Sequence, residues 1–160
     1  MAPIKQQAGW HLCKWGPPVL FLVHNIEESF GMISFLRNRF SIEAVTQRQF
    51  TAAVVFLTIL VFFLVVTFRK SKAFLLFVYG TIFFNAAQHI VLLAVFRAYN
   101  PGAASACVIL VIFLLFIRQV RPFLERKLMR FVLLGSLLTY PSTTWAALWI
   151  GGVISRISSY

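Results

Sequence analysis

The chain has 160 residues, of which 60% are hydrophobic and only 12% charged, with a mean hydropathy of +0.85. Soluble domains carry about a quarter charged residues, so half that share excludes an ordinary water-soluble globule, and the length excludes a large multidomain enzyme. The 15 Lys and Arg stand against 4 Glu and no Asp, a net charge of +11. In an apolar chain such an excess orients loops toward anionic headgroups. The basic residues flank apolar runs and form no separate module, so nucleic acid is not an expected partner.

A transmembrane helix uses roughly 20 apolar residues, and the apolar runs predict an all-α, polytopic membrane bundle: one domain over 1–160 with about five helices. The first is expected over 17–36, opened by Gly16-Pro17-Pro18, because prolines are tolerated where helix N–H groups lack partners, and stopped by Arg37 and Arg39. The second covers 50–68, with Thr46 and Gln49 spaced as a capping box. A basic turn, Arg69 to Lys72, leads to the third over 73–96. Tyr99-Asn100-Pro101-Gly102 marks a chain reversal, and the fourth helix runs over 103–117. Arg118 to Arg130, broken by Pro122, reads as an interfacial loop with a helical piece. The fifth helix, 131–154, is expected to kink at Pro141.

Basic residues set the orientation. Ten Lys and Arg fall on the side of the N-terminus and five on the other, which places the N-terminus in the cytoplasm and the C-terminus outside. Trp10 and Trp15 at one end, and Tyr99, Trp145 and Trp149 at the other, suit interfacial belts. No cleavable leader is expected, since the first apolar run is charged in its middle. Cys13 and Cys107 give neither a disulfide framework nor a metal-knuckle spacing, and Cys107 reads as a packing residue.

Chemistry concentrates in His24-Asn25-Ile26-Glu27-Glu28. These residues sit near the middle of the first run, where one ionised acid costs about 2.5–3.5 kcal/mol. His24, Glu27 and Glu28 occupy an arc of about 100° at 3.6 residues per turn. Thr81, Asn85, Gln88 and His89 make a matching stripe on the third helix; Ser136, Thr139, Tyr140, Thr143 and Thr144 make another on the fifth. The expectation is a polar cavity shared by the first, third and fifth helices, with the second and fourth as lipid-facing struts. Counted from the expected helix starts, His24 and His89 differ in depth by roughly 15 Å, and Glu28 narrows this to about 9 Å.

His24-x-x-Glu27-Glu28, the later helical His89 and Tyr99-x-Pro101-Gly102, in this order, resemble the HXXEE-domain family of small membrane proteins. The resemblance spans about the first two-thirds of the chain. It implies that His24, Glu27, Glu28 and His89 are the working set and implies no particular reaction.

Two imidazoles and a carboxylate can hold one divalent metal, Zn or Fe, with the remaining carboxylate as base. Without metal, two adjacent acids can split their titration and act as an acid/base pair. The leading expectation is therefore an intramembrane enzyme that hydrolyses, isomerises or cyclises a lipophilic small molecule. His24, Glu27, Glu28 and His89 are its candidate catalytic and metal-binding residues, and Asn85, Gln88, Thr139, Tyr140 and Thr143 would line the substrate site. A proton-coupled small transporter and a structural subunit with a polar packing core remain alternatives. Membrane lipids are expected partners, and self-association is left open.

Overall fold

The computed structural model describes residues 4–157, with side chains from Lys14 onward, so the expectations for Trp10 and Cys13 lie outside the described side chains. All regular structure among the described residues is helical: α1 (Ile4–Ser29), α2 (Met32–Phe40), α3 (Gln47–Thr67), α4 (Lys72–Phe96), α5 (Ala103–Val120) and α6 (Arg126–Ile157), with a 3-10 turn at Arg121–Phe123. The fold is an all-α bundle. Four helices are long and apolar enough to cross a membrane. The bent pair Lys14–Ser29 and Met32–Phe40, which meet at 58°, brings the number to as many as five. Around the bundle the neighbours run α1, α3, α6, α4, α5 and back to α1.

The expected first helix is corrected at both ends. Pro17 and Pro18 lie inside α1 instead of opening it. Proline at 18 deprives the Lys14 carbonyl of its helical donor, and the buried Tyr79 hydroxyl of α4 donates to that carbonyl instead. At the other end the chain breaks at Phe30-Gly31, and α2 leaves at an angle. Gly31 permits the close approach of Pro101, because a Cβ there would lie 2.9 Å from the proline Cγ. The Ser29 carbonyl at this break accepts from Gln47 Nε2 at 2.8 Å. Met32, Ile33 and Phe35 of α2 are buried with Phe50 and Val54 of α3, so α2 covers that end of the bundle.

The capping box at α3 is half made: Thr46 Oγ1 accepts from Gln49 N at 3.2 Å, while the Gln49 side chain donates to Leu148 O on α6. The expected interfacial loop shrinks to the 3-10 turn and Leu124-Glu125, since α5 continues to Val120 and α6 begins at Arg126. Helix α6 continues through Pro141. Two glycines set the spacing of α6: a Cβ at Gly80 would lie 2.6 Å from Ser136 Oγ, and one at Gly151 would lie 2.4 Å from Gln49 O. Trp145 and Trp149 are exposed, and Cys107 is exposed on α5 and is not a packing residue.

The strut assignment fails for α5. Ser105, Ile109, Phe113 and Phe116 of this helix are buried, because α5 fills the bundle position between α1 and α4 and presents its N-terminus to the polar site.

Candidate functional site

Three chain segments meet at one end of the bundle: the last two turns of α1, the last third of α4, and the turn from Arg97 to Gly102 with the first residues of α5. His24 and His89 are buried to 0% and 2% exposure, and Glu28 to 8%. One ligand atom from each lies within 4.8 Å of the others. The expected depth mismatch closes because α1 begins near Ile4 and ends at Ser29, so His24 stands close to the end of α1 as His89 does to the end of α4.

Hydrogen bonding fixes which face each imidazole presents. Asn100 Nδ2 donates to His89 O at 2.9 Å, which turns its Oδ1 toward His89 Nδ1 at 2.8 Å. An amide oxygen only accepts, so His89 Nδ1 carries the proton. Ser105 Oγ stands 2.5 Å from Glu27 Oε2 and 3.1 Å from Gly102 O. Both of those are acceptors, so the hydroxyl proton goes to one of them. Ser105 Oγ therefore accepts from His24 Nδ1 at 2.8 Å. These tautomers are assigned from the network, and both leave Nε2 bare when the rings are neutral. Asn85 Nδ2, 3.0 Å away, donates to His24 Nε2. His89 Nε2 instead faces Glu28 Oε1 at 2.8 Å, and that oxygen is also 3.6 Å from His24 Nε2.

Two acceptors at 2.8 Å require a cation between or beside them, either a proton or a metal ion. The donor set suits a metal. Two imidazole nitrogens and one carboxylate oxygen are a ligand trio for Zn²⁺ or Fe²⁺. Each imidazole also has its second nitrogen oriented by an oxygen, the outer support that metal-bound histidines use.

Glu27 lies elsewhere and is not the fourth member of this trio. Its carboxylate accepts from Ala104 N at 3.1 Å, Ser105 N at 3.0 Å and Ser105 Oγ, and from the Tyr99 hydroxyl. It thus satisfies orphan N–H groups at the start of α5, where helix polarity favours an anion. The adjacent acids separate because consecutive helical residues diverge by about 100°. Tyr99, in the turn, has its phenol pushed up to about 12, chiefly by the hydrogen bond to Glu27 and then by burial.

The turn motif also has an assignable geometry. Gly102 has φ +96°, and a Cβ there would lie 2.7 Å from His89 Cε1 and 2.8 Å from His24 Cε1. Only glycine lets the backbone pass between both rings.

A family model described as a protein of unknown function with HXXEE motif matches residues 15–117. The chain belongs to this HXXEE family. The match covers α2, α3 and α4 whole, most of α5 and α1 from Trp15 onward, and so includes every residue of the His24–Glu28–His89 cluster. No curated protein and no solved structure matches the chain.

Beside the HXXEE cluster lies a cavity of about 240 Å³ between α1, α3, α4 and α6, with Glu28, Asn85, Thr139, Tyr140 and Thr143 in its wall. Gln88, expected in the substrate site, is exposed and is not among the lining residues. Sequence reasoning missed Ser105 and Asn100 as members of the site. Asn100 carried a signal, its place in the Tyr99–Gly102 turn, whereas Ser105 is a single hydroxyl in an apolar run.

Proposed function

We propose that the chain is an intramembrane enzyme that acts on a lipophilic small molecule at a single divalent metal held by His24, Glu28 and His89. The observation that carries this reading is the convergence of one carboxylate and two imidazoles, both tautomers fixed from behind, with the carboxylate also in the wall of a mostly apolar cavity. When bound, Zn²⁺ or Fe²⁺ would supply Lewis acidity toward a polar bond of the substrate. Glu28 and the two imidazole Nε2 atoms would hold it. The charge of Glu27 is relayed through Ser105 to His24, keeping that ring's Nδ1 protonated. With a metal on His24 Nε2, the Asn85 amide that donates there would be displaced; the released amide and Tyr140 would orient the substrate, and the apolar wall would exclude water. The reaction classes that suit this set are hydrolysis, isomerisation and cyclisation. The acid/base pair of Glu27 and Glu28 is not retained, since four donors occupy Glu27. The excess of basic residues supports an N-terminus in the cytoplasm and a C-terminus outside, which would put the site near the non-cytoplasmic face.

The test begins with elemental analysis of purified protein. One Zn or Fe per chain is expected, and loss of it in His89→Ala and Glu28→Gln. Lipid mass spectrometry of cells producing the wild type should then show a product that the Glu28→Gln variant does not make. A wild type that neither copurifies with nor takes up metal would overturn the metal centre. The 2.8 Å approach of His89 to Glu28 also favours a second reading, in which a proton occupies the pair and the chain couples proton movement to transport. Proton flux in liposomes that is lost in Glu28→Gln, without metal, would select that reading.

A further inference from the structure

The cavity has a hydrogen-bonding bias of its own. Four threonines line it, and each spends its hydroxyl proton on its own helix: Thr81 on Phe77 O at 3.1 Å, Thr139 on Gly135 O at 2.7 Å, Thr143 on Thr139 O at 2.6 Å and Thr144 on Tyr140 O at 3.1 Å. What remains on these groups is oxygen lone pairs. The lining amide of Asn25 is likewise spent, on Val54 O and Thr58 Oγ1, and that of Asn85 faces His24. Tyr140 is the lining hydroxyl that keeps its proton. Glu28 is the charged residue of the wall, and neither Lys nor Arg is among the lining residues. Away from this polar region the wall is Phe21, Leu57, Leu60, Leu64 and Phe77. Acceptors gathered at one place, with no cation and a long apolar reach, complement a molecule that is apolar over most of its length and donates hydrogen bonds at its head.

We propose that the cavity binds a single-chain lipophile with a hydrogen-bond-donating head, an alcohol or a protonated amine, and rejects chains that end in carboxylate or phosphate. Calling this ligand the substrate rests on the enzyme reading; the binding preference does not. An anionic head would meet lone pairs and a carboxylate with no basic side chain to offset them, and burial of an unpaired charge is costly.

The test is photoaffinity labelling of the full chain in phosphatidylcholine nanodiscs. The probes are three diazirine-bearing twelve-carbon chains that end in an alcohol, an amine or a carboxylate. The alcohol and amine should label cavity residues and be displaced by unlabelled dodecanol, with the carboxylate about tenfold weaker or more. Leu57→Trp, or Val61→Phe if that variant does not fold, should abolish specific labelling. Glu28→Gln should remove the advantage of the amine over the alcohol. Equal labelling by all three heads means that the cavity is a groove for bulk acyl chains, and labelling unaffected by either filled variant places the ligand elsewhere; either result overturns the proposal. Metal content measured on the same samples separates the two claims. Head-selective labelling without metal supports this proposal and removes the metal enzyme, whereas bound metal without head selectivity does the reverse.

Discussion

Gly102, in the turn before α5, and Ser105, in the first turn of α5, act on the site by positioning its imidazoles. Gly102 holds a positive φ and a backbone path between two imidazoles, so Gly102→Ala combines backbone strain of roughly 1–3 kcal/mol with displacement of both rings. The expected outcome is a lower unfolding temperature in detergent together with metal loss, read by elemental analysis. Ser105 passes the Glu27 charge to His24. Ser105→Ala should weaken metal binding by about 10–100-fold, the usual effect of losing an outer-shell partner, measured by competition with a chelator of known affinity. Tyr99 supplies a pH dependence. Its phenol titrates near 12 instead of about 10, so its neutral form is favoured in the folded chain. The stability it contributes is fully present below about pH 10 and is lost as pH rises through about 12. Phenolate absorbance of the wild type minus that of Tyr99→Phe should show this midpoint, and Glu27→Gln should bring it back toward 10. Of these residues the sequence disclosed His24, Glu28 and His89, because ionisable groups recurring at helical spacing in an apolar run are costly and conspicuous. Ser105 was hidden: an isolated hydroxyl costs little, and its role depends on α5 lying beside α1.

At the level of the helices, contact between neighbours is governed by where side chains are missing. Gly151 brings α6 against the α3 backbone, and its missing Cβ would fall 2.4 Å from Gln49 O, whereas one at Gly135 would meet Phe77 at an ordinary 3.7 Å. Gly151→Ala is expected to destabilise by about 1–3 kcal/mol through overpacking, and Gly135→Ala to be nearly neutral; thermal unfolding of the two in the same detergent checks the contrast. Periodicity and basic punctuation made α3, α4 and α5 legible within about three residues at each end. They failed on α1, because a proline pair ordinarily marks a helix start and the compensating Tyr79 hydroxyl lies 65 residues away. The α1–α2 break also escaped, since Phe30-Gly31 interrupts neither hydropathy nor length. The threonine stripe on α6 could have relieved the carbonyl that Pro141 leaves without a donor; instead Thr139, Thr143 and Thr144 bond the oxygens of Gly135, Thr139 and Tyr140.

In the molecule as a whole, the polar groups collect at one end of the bundle while the cavity extends toward the other, from Phe50 and Leu148 past Asn85 to Leu64 and Phe77. The class of fold was readable from composition alone, and the meeting of the first and third expected helices from their stripes. The order of helices around the bundle was not, because lipid-facing and protein-facing apolar side chains look alike when both solvents are greasy. The break after Ser29 has a consequence for how the centre would be loaded. It ends α1 one residue beyond Glu28, and the Asn100–Gly102 turn closes over the same spot. On the proposed membrane reading these three side chains would therefore lie near an aqueous boundary, though buried from it. Exchange of an ion there is expected to be one-sided: in sealed proteoliposomes with sorted orientation, a membrane-impermeant chelator should strip the ion only from the face bearing Tyr99, and leave it in place when added to the face bearing Lys70.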